Sequence, residues 1–207
     1  MVGQVYSRLL LPRLVQIACS TGAVTRQRQI WVPRARGRVL EVGFGSGLNL
    51  PYYKASAVKD LVGLEPSTGM ARLAQRLVRE APFPVRLLEA GAESIPLESE
   101  SVDTVVITYS LCSVEAPEAA LAEVRRVLRP GGRLVFCEHG ASPDRSVRRW
   151  QDRVTPVWRR FAGGCHLNRN VPGLIREAGF QVRELETGYL PGWKPAAWNA
   201  AGLARKR

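Results

Sequence analysis

The chain has 207 residues and is 45% hydrophobic, enough for one well-buried core, with no composition break that divides it in two. No run approaches the roughly 18 apolar residues of a membrane span; the apolar cluster Leu9 to Leu11 ends at Pro12 and Arg13. A net charge of +12 suits anionic partners in general, whether nucleic acid, anionic lipid headgroups or acidic substrates, and does not choose among them.

In chain order, residues 3–19 carry an apolar stripe at helical spacing (Val5, Leu9, Leu10, Leu14, Ile17, Ala18), with a bend expected at Pro12. A second helix is expected over 22–34, carrying Arg26, Arg28 and Trp31. Residues 38–43 form a short apolar run ending in glycine, the pattern of a buried strand. Strands at 59–65, 84–89, 102–108 and 133–138 then alternate with helices at 67–80, capped by Ser67, and at 117–128. Pro130, Gly131 and Gly132 make the turn into the fifth strand. A long helical stretch near 144–178 precedes two last strands, 180–187 and 196–204, whose short loop holds Gly188, Pro191, Gly192 and Pro195 and favours antiparallel pairing. The alternation implies an α/β fold, a mostly parallel sheet with helices on both faces and an N-terminal helical extension. The expected division is 1–36, a helical cap or membrane-contact segment, and 37–207, the main domain.

Of the 30 basic residues 26 are arginine, a bias that base composition alone can produce, so its distribution says more. Residues 1–40 hold seven arginines and no acid, and residues 144–160 hold six more against two aspartates. The N-terminus lacks a cleavable signal pattern, which leads us to expect a cytoplasmic protein, with peripheral contact to an anionic membrane through residues 1–36 left open. Cys19, Cys112, Cys137 and Cys165 are far apart and read as reduced, mostly buried thiols. Two histidines and scattered cysteines do not make a zinc set, so no metal is expected.

The segment Glu41-Val-Gly43-Phe-Gly45-Ser-Gly47 follows the first strand and leads into a helix. Its glycines allow a tight turn and close approach of a ligand to backbone N–H groups. Glu65 ends the next strand, 18 residues beyond Gly47, where a carboxylate accepts hydrogen bonds from both ribose hydroxyls of an adenosine. A dinucleotide fingerprint requires a small residue where this chain has Leu48, which disfavours a nicotinamide cofactor. S-adenosylmethionine (SAM) has an α-amino group and a sulfonium and no phosphate, so an acidic residue such as Glu41 suits it better.

The ordered words E-V-G-F-G-S-G, G-L-E-P-S, G-A-E-S-I-P-L with S-V-D-T-V-V, and L-R-P-G-G-R-L resemble the SAM-binding set of class I methyltransferases over about residues 38–140. That resemblance implies a Rossmann-like seven-stranded sheet with the last strand inserted antiparallel. The segments Tyr109 to Val114, Phe136 to Gly140 and Gly163 to Arg169 look like small membrane-associated thiol S-methyltransferases and their bacterial relatives; phosphatidylethanolamine N-methyltransferases and quinone-biosynthesis methyltransferases are similar more loosely. Carried over by position, the resemblance implies that Gly43, Phe44, Gly45, Gly47 and Asn49 line the methionine part of SAM and that Glu41 holds its amino group. Glu65 then binds the ribose, Pro66, Ser67 and Met70 flank the adenine, and Ala92 and Glu93 meet its edge. Thr108, Tyr109 and Ser110 face the sulfonium and the incoming nucleophile.

Methyl transfer is an in-line displacement that needs the nucleophile held about 3 to 3.5 Å from the methyl carbon. A thiol or ammonium acceptor must also lose a proton, so a base can assist. The candidates are His139 and His166, each of which has the alternative role of bonding a loop, with Glu138 positioning the substrate or ending a strand and Tyr109 as the aromatic of the site. The expected function is methylation of a small or lipophilic acceptor, a thiol first and a phospholipid amine second. An RNA methyltransferase or nucleic-acid binder is the contrasting reading. The lack of an Asn/Asp-Pro-Pro-Tyr type motif and of an RNA-binding module argues against nucleic acid as partner.

Overall fold

This computed structural model describes residues 11–207. The upstream part of the expected first helix, with Val5, Leu9 and Leu10, lies outside the described residues. Helices α1 (Leu11–Cys19) and α2 (Gly22–Trp31) come first, then a 3-10 turn at Val32–Arg34 and strand β1 (Gly37–Val42). There follow β2 (Val58–Leu64), α3 (Thr68–Glu80), β3 (Val85–Leu88), β4 (Val102–Thr108), α4 (Pro117–Val127) and β5 (Leu128–His139). The chain closes with α5 (Arg145–Phe161), α6 (Val171–Glu177), β6 (Phe180–Tyr189), α7 (Lys194–Ala197) and β7 (Trp198–Lys206).

The seven strands lie in the order β3-β2-β1-β4-β5-β7-β6. Strands β1 to β5 pair in parallel, while β7 runs antiparallel between β5 and β6. Strand residues alternate between two apolar layers because side chains have a period of two. Leu40, Val105 and Phe136 go to one layer, with Leu121 and Val124 of α4 and Ile175 of α6. Val39, Val106 and Val135 go to the other, with Trp31 at the end of α2 and Ala74 of α3. Each such valine, leucine, isoleucine or phenylalanine side chain contributes on the order of 1.5–3 kcal/mol. Beyond β1, the chain crosses to β2 on one side and later to β4 on the other. A crevice therefore opens past the carboxyl ends of β1, β2 and β4, the place where open α/β sheets bind ligands.

Four local features differ from the sequence reading. Between the glycine loop and β2 the chain makes only a 3-10 turn at Leu50–Tyr52, with Pro51 inside it, where a helix was expected. The fifth strand reaches back to Leu128, because Val102 pairs with Leu128 and Thr104 with Arg133, and residues 129–132 bulge out between them. Proline has no N–H for the ladder, so a bulge is where a strand accommodates it. The helical stretch 144–178 is two helices, separated where Gly163 (φ 59°) and Gly164 (φ 83°) take left-handed backbone. The last loop contains the short helix α7.

Candidate active site

Glu41, next to the last residue of β1, is only 2% exposed. Its Oε2 accepts from the Tyr53 hydroxyl at 2.7 Å, and its Oε1 from the Asn49 amide at 2.9 Å. The same Asn49 Nδ2 donates to Thr108 Oγ1 at 2.9 Å, while Asn49 Oδ1 accepts from Arg28 Nε at 3.0 Å. Burial pushes the Glu41 carboxyl up to about 7, against the pull of the Tyr53 and Asn49 bonds and the Arg28 charge. Gly43, at φ 70°, packs under Ser110, whose hydroxyl a Cβ on Gly43 would overlap; that hydroxyl donates to Gly43 O at 3.2 Å. Strand end, glycine loop and β4 end are thereby one hydrogen-bonded unit.

Glu65, just past β2, faces this loop. Its Oε2 accepts from the Gly45 backbone N–H at 2.8 Å and its Oε1 from the Ser67 N–H at 2.9 Å, which leaves each oxygen a free lone pair. Burial raises its carboxyl above the ordinary range, and the two amide bonds oppose that rise. Ser67 caps α3, its hydroxyl accepting from Met70 N–H at 3.3 Å, as its sequence position predicts. Gly63, in β2, has a role its sequence position did not reveal: a Cβ there would come within 2.6 Å of the Phe44 ring, so the strand is bare where the loop's aromatic lies on it.

Tyr109 follows β4 with φ 53°, a left-handed conformation costly for a non-glycine residue. Its hydroxyl turns inward, donating to Asn199 Oδ1 at 3.0 Å and lying 3.2 Å from the Cys137 sulfur. Burial holds that phenol far above its ordinary range, so Tyr109 presents a ring to the crevice and keeps its proton in the core. Glu138 is fully buried and accepts three backbone N–H groups, from Ser110 (2.8 Å), Leu111 (3.0 Å) and Cys112 (3.1 Å). It holds the turn after β4. His139 lies behind Tyr109, ring centroids 4.9 Å apart, and burial pushes its imidazole down to about 4. Its Nδ1 is buried without a hydrogen-bond partner among the described residues. His166 belongs to the loop after α5; its N–H donates to Cys112 O at 2.8 Å, and burial with the charges of Arg169 and Arg159 lowers its imidazole.

These elements enclose a cavity of about 420 Å³. Of the residues the sequence assigned to the cofactor, the lining includes Glu41, Gly43, Phe44, Gly45, Asn49, Glu65, Pro66, Ser67, Met70, Ala92, Glu93, Thr108, Tyr109 and Ser110. Gly47 is turned instead toward Phe44, Leu50 and Ala74. Among the four catalytic candidates, Tyr109 lines the cavity, and Glu138, His139 and His166 are not in its lining. The outer wall comes from Pro12, Val15, Gln16 and Cys19 of α1, Arg28 of α2, and Gly163, residues the sequence reading had not named for the site although it expected a helical cap or membrane-contact segment over 1–36. Arg28 carried a signal, for Val24, Arg28 and Trp31 are the buried positions of α2 at i, i+4 and i+7, an arginine on an apolar stripe.

Residues 40–136 match the methyltransferase domain family. Over 179 residues the chain is 34% identical to thiol S-methyltransferase TMT1B of Homo sapiens, covering 83% of this chain and 72% of that one. The chain belongs to the class I SAM-dependent methyltransferases. This methyltransferase is also 34% identical over 193 residues to the demethylmenaquinone methyltransferase of Clavibacter sepedonicus, covering 82% of this chain and 78% of that one. Its fold matches the crystal structure of the cyclase SpnF with a TM-score of 0.73 at 20% identity, over 99% of this chain and 95% of that one, a likeness of fold alone. The methyltransferase's cavity has a donor set that fits SAM: a buried carboxylate at the β1 end for an ammonium, a second carboxylate with free lone pairs for a diol, and a glycine loop that a Cβ would fill. No helix among the described residues is long and apolar enough to cross a membrane.

Proposed function

We propose that this enzyme methylates the sulfur of a small lipophilic thiol. The observation that carries the reading is the 34% identity to a thiol S-methyltransferase over 83% of the chain. The chemistry of the cavity agrees with it. Among the described residues no histidine lines the cavity, and its phenol is locked in the core, so an acceptor that sheds its own proton near neutral pH suits the site. A free thiol does so far more readily than an alkylammonium. S-adenosylmethionine supplies the methyl group when bound. Glu41 and Asn49 would then hold its amino-acid end and Glu65 the ribose, with Pro66, Ser67, Met70, Ala92 and Glu93 around the adenine. Gly43, Phe44 and Gly45 give the backbone wall, and Thr108, Tyr109 and Ser110 face the reacting sulfur. Glu138 positions that last group by fixing the turn that carries it. Helices α1 and α2 serve as a cap that keeps water out of the cavity.

The same cap would touch an anionic membrane through residues 1–36. Helix α1 turns Pro12, Val15 and Cys19 to the cavity while Leu14 (52% exposed) and Ile17 (69%) face outward, in a stretch with no acidic residue. Such a surface suits lipid headgroups and acyl chains. Co-sedimentation with phosphatidylglycerol vesicles tests this contact, and binding unchanged in a Leu14→Asp/Ile17→Asp variant overturns it. The acceptor itself is tested by a radiolabelled-methyl screen over alkyl thiols, phosphatidylethanolamine and RNA. Label is expected in the thiols; label in either other acceptor with none in thiols refutes the assignment.

A further inference from the structure

A second cavity, of about 850 Å³, opens at the opposite edge of the sheet, where β1 begins and the antiparallel β7 ends. It shares no lining residue with the cofactor cavity. Arg34 and Arg36 from the segment before β1, Lys54, Arg133 of β5, Arg183 of β6 and Arg205 of β7 line it. Glu184 is the one carboxylate of its described lining, and Arg34 already pairs with it. The ion pairs of the described residues do not include the other five cations.

Strand register forces these charges together. Arg133 and Arg205 are direct partners in the antiparallel β5–β7 pair, and like charges placed opposite each other destabilise a sheet. Thr104, the β4 partner of Arg133, ties the Arg36 backbone beside them: its hydroxyl donates to Arg36 O at 2.8 Å and accepts from Arg36 N–H at 3.2 Å. Arg133 Nη1 donates to Arg34 O at 3.3 Å and Arg205 Nη1 to Gly131 O at 3.1 Å, which fixes both guanidinium groups. Arg133 Nε is buried without a hydrogen-bond partner among the described residues. Burial and the charges of Arg36 and Arg205 hold that guanidinium below its ordinary range, and Glu184 opposes them. A concave lining of one sign concentrates counter-ions, and a guanidinium fork matches phosphate oxygens two at a time. A single phosphate carries only about −1.5 to −2 charge near neutral pH, far less than this excess, so a chain of phosphates satisfies the lining better. The volume lies within the roughly 300–1,000 Å³ of small-molecule sites.

We propose that this cavity binds a polyphosphate chain, free or as the end of a nucleotide, independently of the cofactor.

The test is isothermal titration of the full chain with sodium tripolyphosphate at physiological salt. Wild type should give a saturable one-site isotherm, with orthophosphate at least about tenfold weaker. Arg133→Met/Arg205→Met should weaken tripolyphosphate at least about tenfold while keeping the wild-type affinity for S-adenosylhomocysteine, which shows that the variant is folded. Arg36→Met, at an exposed position, should weaken it at least about threefold and serves if the double variant fails to fold. Arg149→Met/Arg153→Met removes the same charge from exposed positions of α5 and should change the affinity by less than about twofold. No saturable binding in the wild type overturns the site, and that measurement needs no variant. Equal losses in the two double variants also overturn it, leaving a general attraction to a basic surface. Saturating S-adenosylhomocysteine should shift tripolyphosphate affinity by less than about twofold, and displacement of one by the other overturns the placement. ATP binding at least about fivefold more tightly than tripolyphosphate assigns a nucleotide, and parity assigns the phosphate chain alone.

Discussion

Glu41 makes the sharpest prediction, because one titration should act with opposite signs on stability and on cofactor binding. Its carboxyl rises from 4.5 to about 7 in the folded protein, with burial as the leading cause. A group raised in this way stabilises the fold fully below its unfolded value and loses that contribution as pH climbs through the folded value. The free enzyme should therefore lose up to about 3 kcal/mol of stability through Glu41 between about pH 4.5 and about pH 7, at 1.36 kcal/mol per unit. A cofactor ammonium favours the ionised carboxylate, so binding should strengthen over the same interval. At about pH 6 only about a tenth of free sites are ionised, which makes S-adenosylhomocysteine bind about tenfold more weakly than on the plateau and release about 0.9 proton. Calorimetry in buffers of different ionisation enthalpy measures that proton, and chemical denaturation across the same range measures the stability slope. Glu41→Gln should flatten both curves. Affinity constant between about pH 6 and about pH 8 in the wild type, with no proton released, refutes the placement of the ammonium at Glu41.

Three further perturbations separate binding, positioning and catalysis. Gly43→Ala forces a Cβ into the Ser110 hydroxyl at a left-handed φ, so S-adenosylhomocysteine affinity should fall at least about tenfold and the thermal midpoint should drop, with a loss of about 1–3 kcal/mol. Glu138→Gln turns one acceptor oxygen into an N–H₂ that faces backbone donors; we expect about 1–3 kcal/mol of destabilisation, read by denaturation, and a rise in KM for the acceptor as the turn at residues 110–112 loosens. His139→Ala should lower kcat by less than about fivefold, since an imidazole pushed down to about 4 is a weak base at neutral pH and the ring stands behind Tyr109. A kcat loss above about a hundredfold in that variant would restore His139 as the base.

What was readable from the chain was local. The apolar run ending at Gly43, the Ser67 cap and the acid after the second strand each depend on neighbours a few positions away, and periodicity exposes them. The inserted last strand was legible for a related reason, because a short Gly/Pro loop between two strand patterns forces a hairpin. Side-chain pairs distant in sequence were not. Arg28 meets Asn49 across 21 positions and Glu138 reaches the 110–112 amides across 26 to 28, and no short window of sequence contains both partners. Glu138 looked like a site carboxylate because it ends a strand at the ligand edge. Its strand turns it instead toward three N–H groups that have no other acceptor, and a buried carboxylate goes where backbone donors need it.

The charge balance changes sign between surface and site. The chain as a whole carries +12, which as a bulk property predicts anionic partners. The cavity is lined by Glu41, Glu65, Glu93 and Glu115 against Arg28 alone among its described residues, an acidic interior within a basic molecule. Screening confines surface charges to a reach of about 8 Å at physiological salt, whereas charges inside a low-dielectric cleft act on a ligand almost unscreened. The ligand therefore responds to the lining, and the exterior arginines are left to meet whatever larger surface the protein approaches. A cationic sulfonium fits that interior, and an anionic phosphate cofactor does not. The excess of carboxylates also favours the charged sulfonium over the neutral thioether that remains after transfer, so the field that draws the cofactor in weakens the hold on its product. Raising ionic strength should then loosen any contact of the outer arginines with anionic surfaces far more than it loosens cofactor binding.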